Sequence, residues 1–130
     1  MKPLERGSAA LELALVLPLA LVVSLALVQV GLLGRDSAVV ALAAREGSRE
    51  AAVTTDDDSV REAALRSGDL PEDRTEVEVE RAGGVGHPVT VRVQYQAPVV
   101  VPFVDWLFPD AVDLVAEATM RQETSGLETT

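Results

Sequence analysis

Residues 6–36 read RGSAALELALVLPLALVVSLALVQVGLLGRD, and this stretch decides the architecture of the chain. From Leu13 to Gly34 it contains twenty-two residues without a charge, most of them Leu, Val and Ala. As a helix this run is about 33 Å long, enough to cross the roughly 30 Å hydrocarbon core of a bilayer. The sequence therefore predicts one membrane-spanning helix, at residues 8–34.

A cleaved secretory signal is the competing interpretation of this run. Such signals have an apolar region of about 7–15 residues, followed directly by small residues at the cleavage site. The run here is longer, and the small-residue string Ala41-Leu42-Ala43 lies beyond the charges of Arg35 and Asp36. The pattern favours a retained anchor.

The basic residues predict the orientation of this helix. Lys2 and Arg6 lie before the apolar run, and short basic flanks stay on the cytoplasmic side. We therefore expect residues 1–7 to form a cytoplasmic leader. The expected location is the inner (cytoplasmic) membrane, with residues 35–123 as an extracytoplasmic domain.

The composition excludes several classes of function. Eleven Lys and Arg stand against twenty-one Asp and Glu, a net charge of −10, which argues against nucleic acid as a partner. The chain has no cysteine and a single histidine, His87, which reads as a loop residue before Pro88. No Gly-rich phosphate loop, metal-ligand cluster or nucleophile–base pair occurs. We expect no enzyme activity, no cofactor and no metal site.

Two residues in or beside the apolar run need a physical reason. Pro18 has no N–H to donate to the carbonyl of Ala14, and its ring crowds that turn, so a kink is expected there. Glu12 lies at the apolar edge, where a carboxylate is costly unless it reaches the headgroups or finds a partner.

Two helices are predicted after the membrane span. The first, Asp36 to Val53, continues the span as a stem, and Gly47 weakens it and marks a potential bend. The second runs from Ser59 to Arg66, with Ser59 and Glu62 as a capping box and Gly68 as its stop.

Between these two helices, the loop Thr54 to Asp58 holds three adjacent aspartates. It lacks the ligand spacing of an EF-hand, which favours a solvated turn over a calcium site.

Three strands follow, because apolar and polar residues alternate. Thr75 to Arg81 and Val89 to Tyr95 form a predicted hairpin around a glycine-rich turn, with Arg92 near the glutamates of the first strand. Val112 to Arg121 is the third strand, and residues 124–130 form a polar tail that we expect to be disordered. The predicted fold class is α+β, with a three-stranded antiparallel sheet packed on helix.

The segment Ala97 to Pro109 is apolar and interrupted by prolines. It holds three of the four aromatic residues of the chain, Phe103, Trp106 and Phe108. One interpretation is a loop that caps the core. The other is a contact with the bilayer surface or with a partner, since Trp and Phe are enriched at interfaces.

The sequence resembles a known family. The string RGSAALELALVLP at residues 6–18 is similar to the start of TadE-like minor pseudopilins of tight-adherence (Flp) type IV pili. The strings AAREGSREAA at residues 43–52 and AEATMR at residues 116–121 are similar to the helix that follows the span and to the last strand of that family.

The resemblance implies a function and partners. It implies a pilin-like fold and cleavage by a prepilin peptidase after Gly7, which leaves Ser8 as the new N-terminus. Cleavage would expose an amine close along the helix to Glu12, so our own hypothesis is that Glu12 pairs with the Ser8 amine of its own or a neighbouring subunit. The partners would be the membrane, the prepilin peptidase, the major Flp pilin and other pilus-assembly proteins, in a homo- or hetero-oligomer. The alternative is an uncleaved, single-pass adhesion or sensing module.

Overall fold

A computed structural model describes residues 3–123, with side chains described from Glu5 onward. The elements in chain order are α1 (Pro3–Val53), α2 (Asp57–Gly68), a 3-10 turn (Glu72–Arg74), β1 (Thr75–Arg81), β2 (Pro88–Pro98) and β3 (Ala111–Arg121). The predicted α+β arrangement is confirmed. The predicted disorder of residues 124–130 concerns a segment outside the described residues.

Helix α1 is one continuous helix that joins the apolar run to the stem. It continues through Pro18 and past Arg35 without interruption. Within the described part of the chain it is the one helix that is long and apolar enough to cross a membrane. Residues 5–21 are exposed all around, whereas from Val22 onward one face of α1 is covered by the rest of the chain.

The sheet has the order β1-β2-β3, with both pairs antiparallel. The valines of β2 form its central apolar row: Val91 pairs with Val79 and Ala118, and Val93 pairs with Val77 and Ala116. On the opposite face, Arg92 lies between Glu78 and Glu117 in register and forms an ion pair with Glu117 at 3.4 Å. The strands and their faces agree with the alternation in the sequence.

The core lies between α1, α2 and β2. Small residues on α1 let its backbone approach the sheet closely, which brings Gly47 against β2. A Cβ at Gly47 would lie 2.9 Å from Val91 Cγ1 and 3.3 Å from Ala64 Cβ. Gly47 therefore lies inside a continuous helix, where its lack of a side chain permits close packing. The buried cluster comprises Val40, Ala43, Ala44, Ala51, Val60, Ala64, Val89, Val91 and Val93.

The predicted capping box of α2 is wrong. The helix begins at Asp57, two residues before the predicted start, and its N-cap is Asp56, whose side chain accepts from the Asp58 N–H. The hydroxyl of Ser59 donates to Asp56 Oδ2 at 2.6 Å, and this hydrogen bond is the main reason why the pKa of the Asp56 carboxyl is lowered. Several residues that favour N-caps are adjacent here, so the local sequence did not single out one.

The end of α2 also differs from the prediction. Gly68 is the last helical residue, and the left-handed C-cap is Asp69, with φ of 50°. Gly68 is required for a different reason, because a Cβ there would lie 2.7 Å from Val39 Cγ1 of α1. Contact between the two helices, rather than backbone conformation, accounts for this glycine.

Arg81 joins the end of β1 to both helices. Its Nη1 donates to the carbonyl oxygen of Ala51 at 3.0 Å, and its Nη2 pairs with Asp57 Oδ1 at 2.9 Å. Ala51 lies in the last turn of α1, where carbonyls lack partners within the helix. Two of the three adjacent aspartates, Asp56 and Asp57, thus have structural partners.

Candidate functional site

The predicted processing motif lies in the first turns of α1. Gly7 and Ser8 are exposed, and a Cβ at Gly7 would meet nothing within 4 Å. A glycine in a helix interior costs about 1 kcal/mol relative to alanine, so Gly7 lowers the intrinsic stability of this turn of α1. The peptide bond after Gly7 is therefore sterically accessible in the folded chain.

Glu12 lies four residues after Ser8, and residues at this spacing share one face of a helix. Its carboxylate is exposed between Leu11 and Leu13, each 63% exposed. No ion pair within residues 5–123 includes Glu12. The structure thus brings Ser8 and Glu12 together on α1. Pro18 lies further along the same exposed half of the helix.

Gln29 is the polar residue that sequence reasoning missed. It lies within the uncharged run, yet it is only 1% exposed. Its Oε1 accepts hydrogen bonds from the backbone N–H groups of Val100 and Val101, each at 3.1 Å. A signal was present in the sequence, because a glutamine in an apolar run needs a hydrogen-bond partner. The sequence could not show that the partner lies seventy-one residues away.

The segment that contacts Gln29 connects β2 to β3; we call residues 99–110 the β2–β3 loop. Val101 and Val104 are buried and Phe108 is half-buried, so one side of the loop caps the fold. Phe103 and Trp106 are each 72% exposed. The three aromatic residues are therefore separated: Phe108 contributes to packing, while Phe103 and Trp106 are on the surface.

The processing motif and the loop are distant from each other. Glu12 and Gln29 are separated by seventeen positions, or about 25 Å along the axis of α1. Within the described residues, no group of three or more His, Cys, Asp or Glu side chains is placed to hold a metal. The predicted processing motif thus lies at the start of α1, and the folded domain packs on the later part of the same helix.

The match to a known family begins at the motif itself. Residues 7–49 match the TadE-like protein family. This finding confirms the resemblance read from the sequence. The TadE-like segment starts at Gly7 and includes Glu12, Pro18, Gln29 and Gly47, whereas the sheet and the β2–β3 loop lie outside it. The TadE-like family is associated with tight-adherence pili and is structural rather than enzymatic. No curated protein and no solved structure matches the chain.

Proposed function

We propose that the protein is a minor pseudopilin, a non-enzymatic subunit or assembly factor of a tight-adherence (Flp) type IV pilus. A prepilin peptidase cuts after Gly7, and α1 then holds the chain in the inner membrane through residues 8–34. Residues 1–7 are the cytoplasmic leader, and residues 35–123 are the extracytoplasmic pilin-like domain. The partners are the peptidase, the major Flp pilin and the other assembly proteins.

The observation that carries this proposal is the TadE-like match over residues 7–49. That segment begins at the glycine of the proposed cut and follows α1 along its exposed apolar half. The chain itself leaves this apolar helix surface uncovered. The surface fits contact with lipid while the chain is in the membrane, and contact with neighbouring pilin helices after assembly. Lys2 and Arg6 before the span support the orientation.

Cleavage after Gly7 gives the first prediction. Coexpression with the cognate prepilin peptidase should yield a chain that starts at Ser8, as read by mass spectrometry of the intact protein. Gly7→Leu should abolish the cut, because a bulky side chain blocks close approach to the scissile carbonyl. Gly31→Leu is the matched control, since Gly31 is also unobstructed on α1. An intact leader beside an active peptidase that processes the major pilin would contradict the proposal and favour the uncleaved module.

The role of Glu12 gives a second prediction. Packing into an assembly places its carboxylate in apolar surroundings, where we propose that it pairs with the Ser8 amine. Removal of one partner of a buried ion pair costs about 3–5 kcal/mol, so Glu12→Ala should lower pilus yield at least about tenfold. The measurement is the amount of sheared pili per cell. Glu5→Ala is the control, because cleavage removes Glu5. Processed, inserted Glu12→Ala protein with normal pilus yield would refute the pairing.

A further inference from the structure

The β2–β3 loop lies against the part of α1 that is expected inside the membrane. Its contact point is Gln29, six residues before Arg35, the first charge after the apolar run. Six residues of helix correspond to about 9 Å. Where α1 crosses a bilayer, the start of the loop at Val100 and Val101 therefore lies on the membrane side of that charge, about 9 Å from Arg35 along the helix axis.

The loop presents an apolar surface that continues onto the helix. Phe103 and Trp106 are exposed, as are Val100 and Leu107 beside them. Val28 and Val30, the chain neighbours of Gln29 on α1, are also exposed and apolar. Exposed apolar residues mark an interaction surface. The Gln29 hydrogen bonds bring the start of the loop beside the membrane helix, and this proximity indicates that lipid covers both parts.

Several polar groups of the loop are already paired within the fold, which lowers the cost of entry into an apolar layer. Trp106 Nε1 donates to the carbonyl oxygen of Phe103 at 2.9 Å, so the indole ring has no unpaired donor. The Leu107 N–H donates to the carbonyl oxygen of Val104 at 2.9 Å. Gln29 accepts from two further backbone donors.

Two further features of the loop concern its backbone conformation and its depth in a membrane. Phe103 has a φ of 67°, a left-handed conformation that is rare for an aromatic residue, and its carbonyl oxygen accepts the hydrogen bond from Trp106 Nε1. Asp105 is exposed between Val104 and Trp106, and its carboxylate must remain among headgroups. The exposed Asp105 carboxylate therefore fits the interfacial layer rather than the centre of the bilayer.

We propose that the β2–β3 loop is a second membrane contact, which inserts Phe103 and Trp106 into the interfacial layer of the leaflet on the domain side. Interfacial elements bury their apolar face by about 5–10 Å, which agrees with the position of Gln29. The loop then holds the domain against the bilayer surface until the chain leaves the membrane. The inference rests on anchoring by α1 and does not require cleavage after Gly7.

The single tryptophan of the chain is a natural probe of this contact. The uncleaved full chain is reconstituted in phosphatidylcholine vesicles whose lipids carry bromine either near the headgroup end or near the end of the acyl chain. Bromine at the shallow position should lower Trp106 fluorescence by about half relative to unbrominated vesicles, and bromine at the deep position should lower it less. Because both leaflets carry bromine, mixed insertion orientation does not affect the result.

Two variants serve as matched comparisons. Phe103→Asp should reduce the quenching, because a charge next to the indole opposes insertion. A Trp106→Phe, Val85→Trp chain moves the probe to the exposed β1–β2 turn and should show no quenching. Equal Trp106 fluorescence in all vesicles would overturn the proposal. The proposal would also be overturned if Trp106 fluorescence changed with the protein-to-lipid ratio but not with bromine. That result would show that a second copy of the chain, not lipid, covers Trp106. Flotation with the vesicles verifies anchoring separately.

Discussion

Gln29→Leu should destabilise the folded domain even though it makes α1 more hydrophobic. The substitution removes the acceptor of two backbone N–H groups, those of Val100 and Val101. A buried donor without a partner costs about 1–3 kcal/mol, so we expect a loss of about 2–4 kcal/mol in the free energy of unfolding. Hydropathy alone predicts that Gln29→Leu is favourable, since leucine inserts into a membrane more readily than glutamine.

The measurement is hydrogen exchange of the full chain in detergent micelles, read by mass spectrometry over the β2–β3 loop. Amides of the loop should exchange at least about tenfold faster in the Gln29→Leu chain, which corresponds to roughly 1.4 kcal/mol. Ser24→Leu is the matched control. Ser24 lies in the same run and is exposed, and its hydroxyl donates only to the carbonyl oxygen of Ala20 within α1. Equal protection in the two chains would show that the Gln29 contact does not hold the loop.

Gly47→Ala and Gly34→Ala should change stability in opposite directions, although both replace a glycine of α1. At Gly34 a Cβ meets nothing within 4 Å, so alanine should stabilise the helix by about 0.5–1 kcal/mol. At Gly47 the new Cβ lies 2.9 Å from Val91 Cγ1, and Val91 is fully buried and stiff at χ1. Overpacking should exceed the helix gain and leave a net cost of about 1–2 kcal/mol.

A larger side chain at Gly47 should separate α1 from the sheet. We expect Gly47→Leu to cost about 3 kcal/mol or more, because four added atoms have no space between Val91 and Ala64. The measurement is the urea midpoint of the full chain in micelles, followed by hydrogen exchange of β2 amides. Gly34→Leu should not lower the free energy of unfolding, because the side chain has open space and leucine favours a helix more than glycine does. A Gly47→Ala chain as stable as the Gly34→Ala chain would mean that the helix does not approach β2 this closely.

The local pattern of the sequence was sufficient for the architecture. An uncharged run of twenty-two residues predicts a helix, and valines at every second position in Thr75–Arg81 and β2 predict strands with one buried face. These features depend on residues close together in the chain. Cleavage after Gly7 and the pairing of Glu12 stay predictions, whereas the resemblance of the first part of the chain to the TadE-like family is confirmed over residues 7–49.

Tertiary structure decided the features that join distant parts of the chain. Gln29 and the β2–β3 loop are seventy-one residues apart, and the need for a partner at Gln29 does not specify which donors supply it. Gly47 looked like a weak point of a helix, because propensity contains no information about Val91. The exposure of Phe103 and Trp106 and the packing of Phe108 likewise depend on which side of the loop faces α1. Local periodicity determines which elements form, whereas contacts between remote residues determine which side chains are covered.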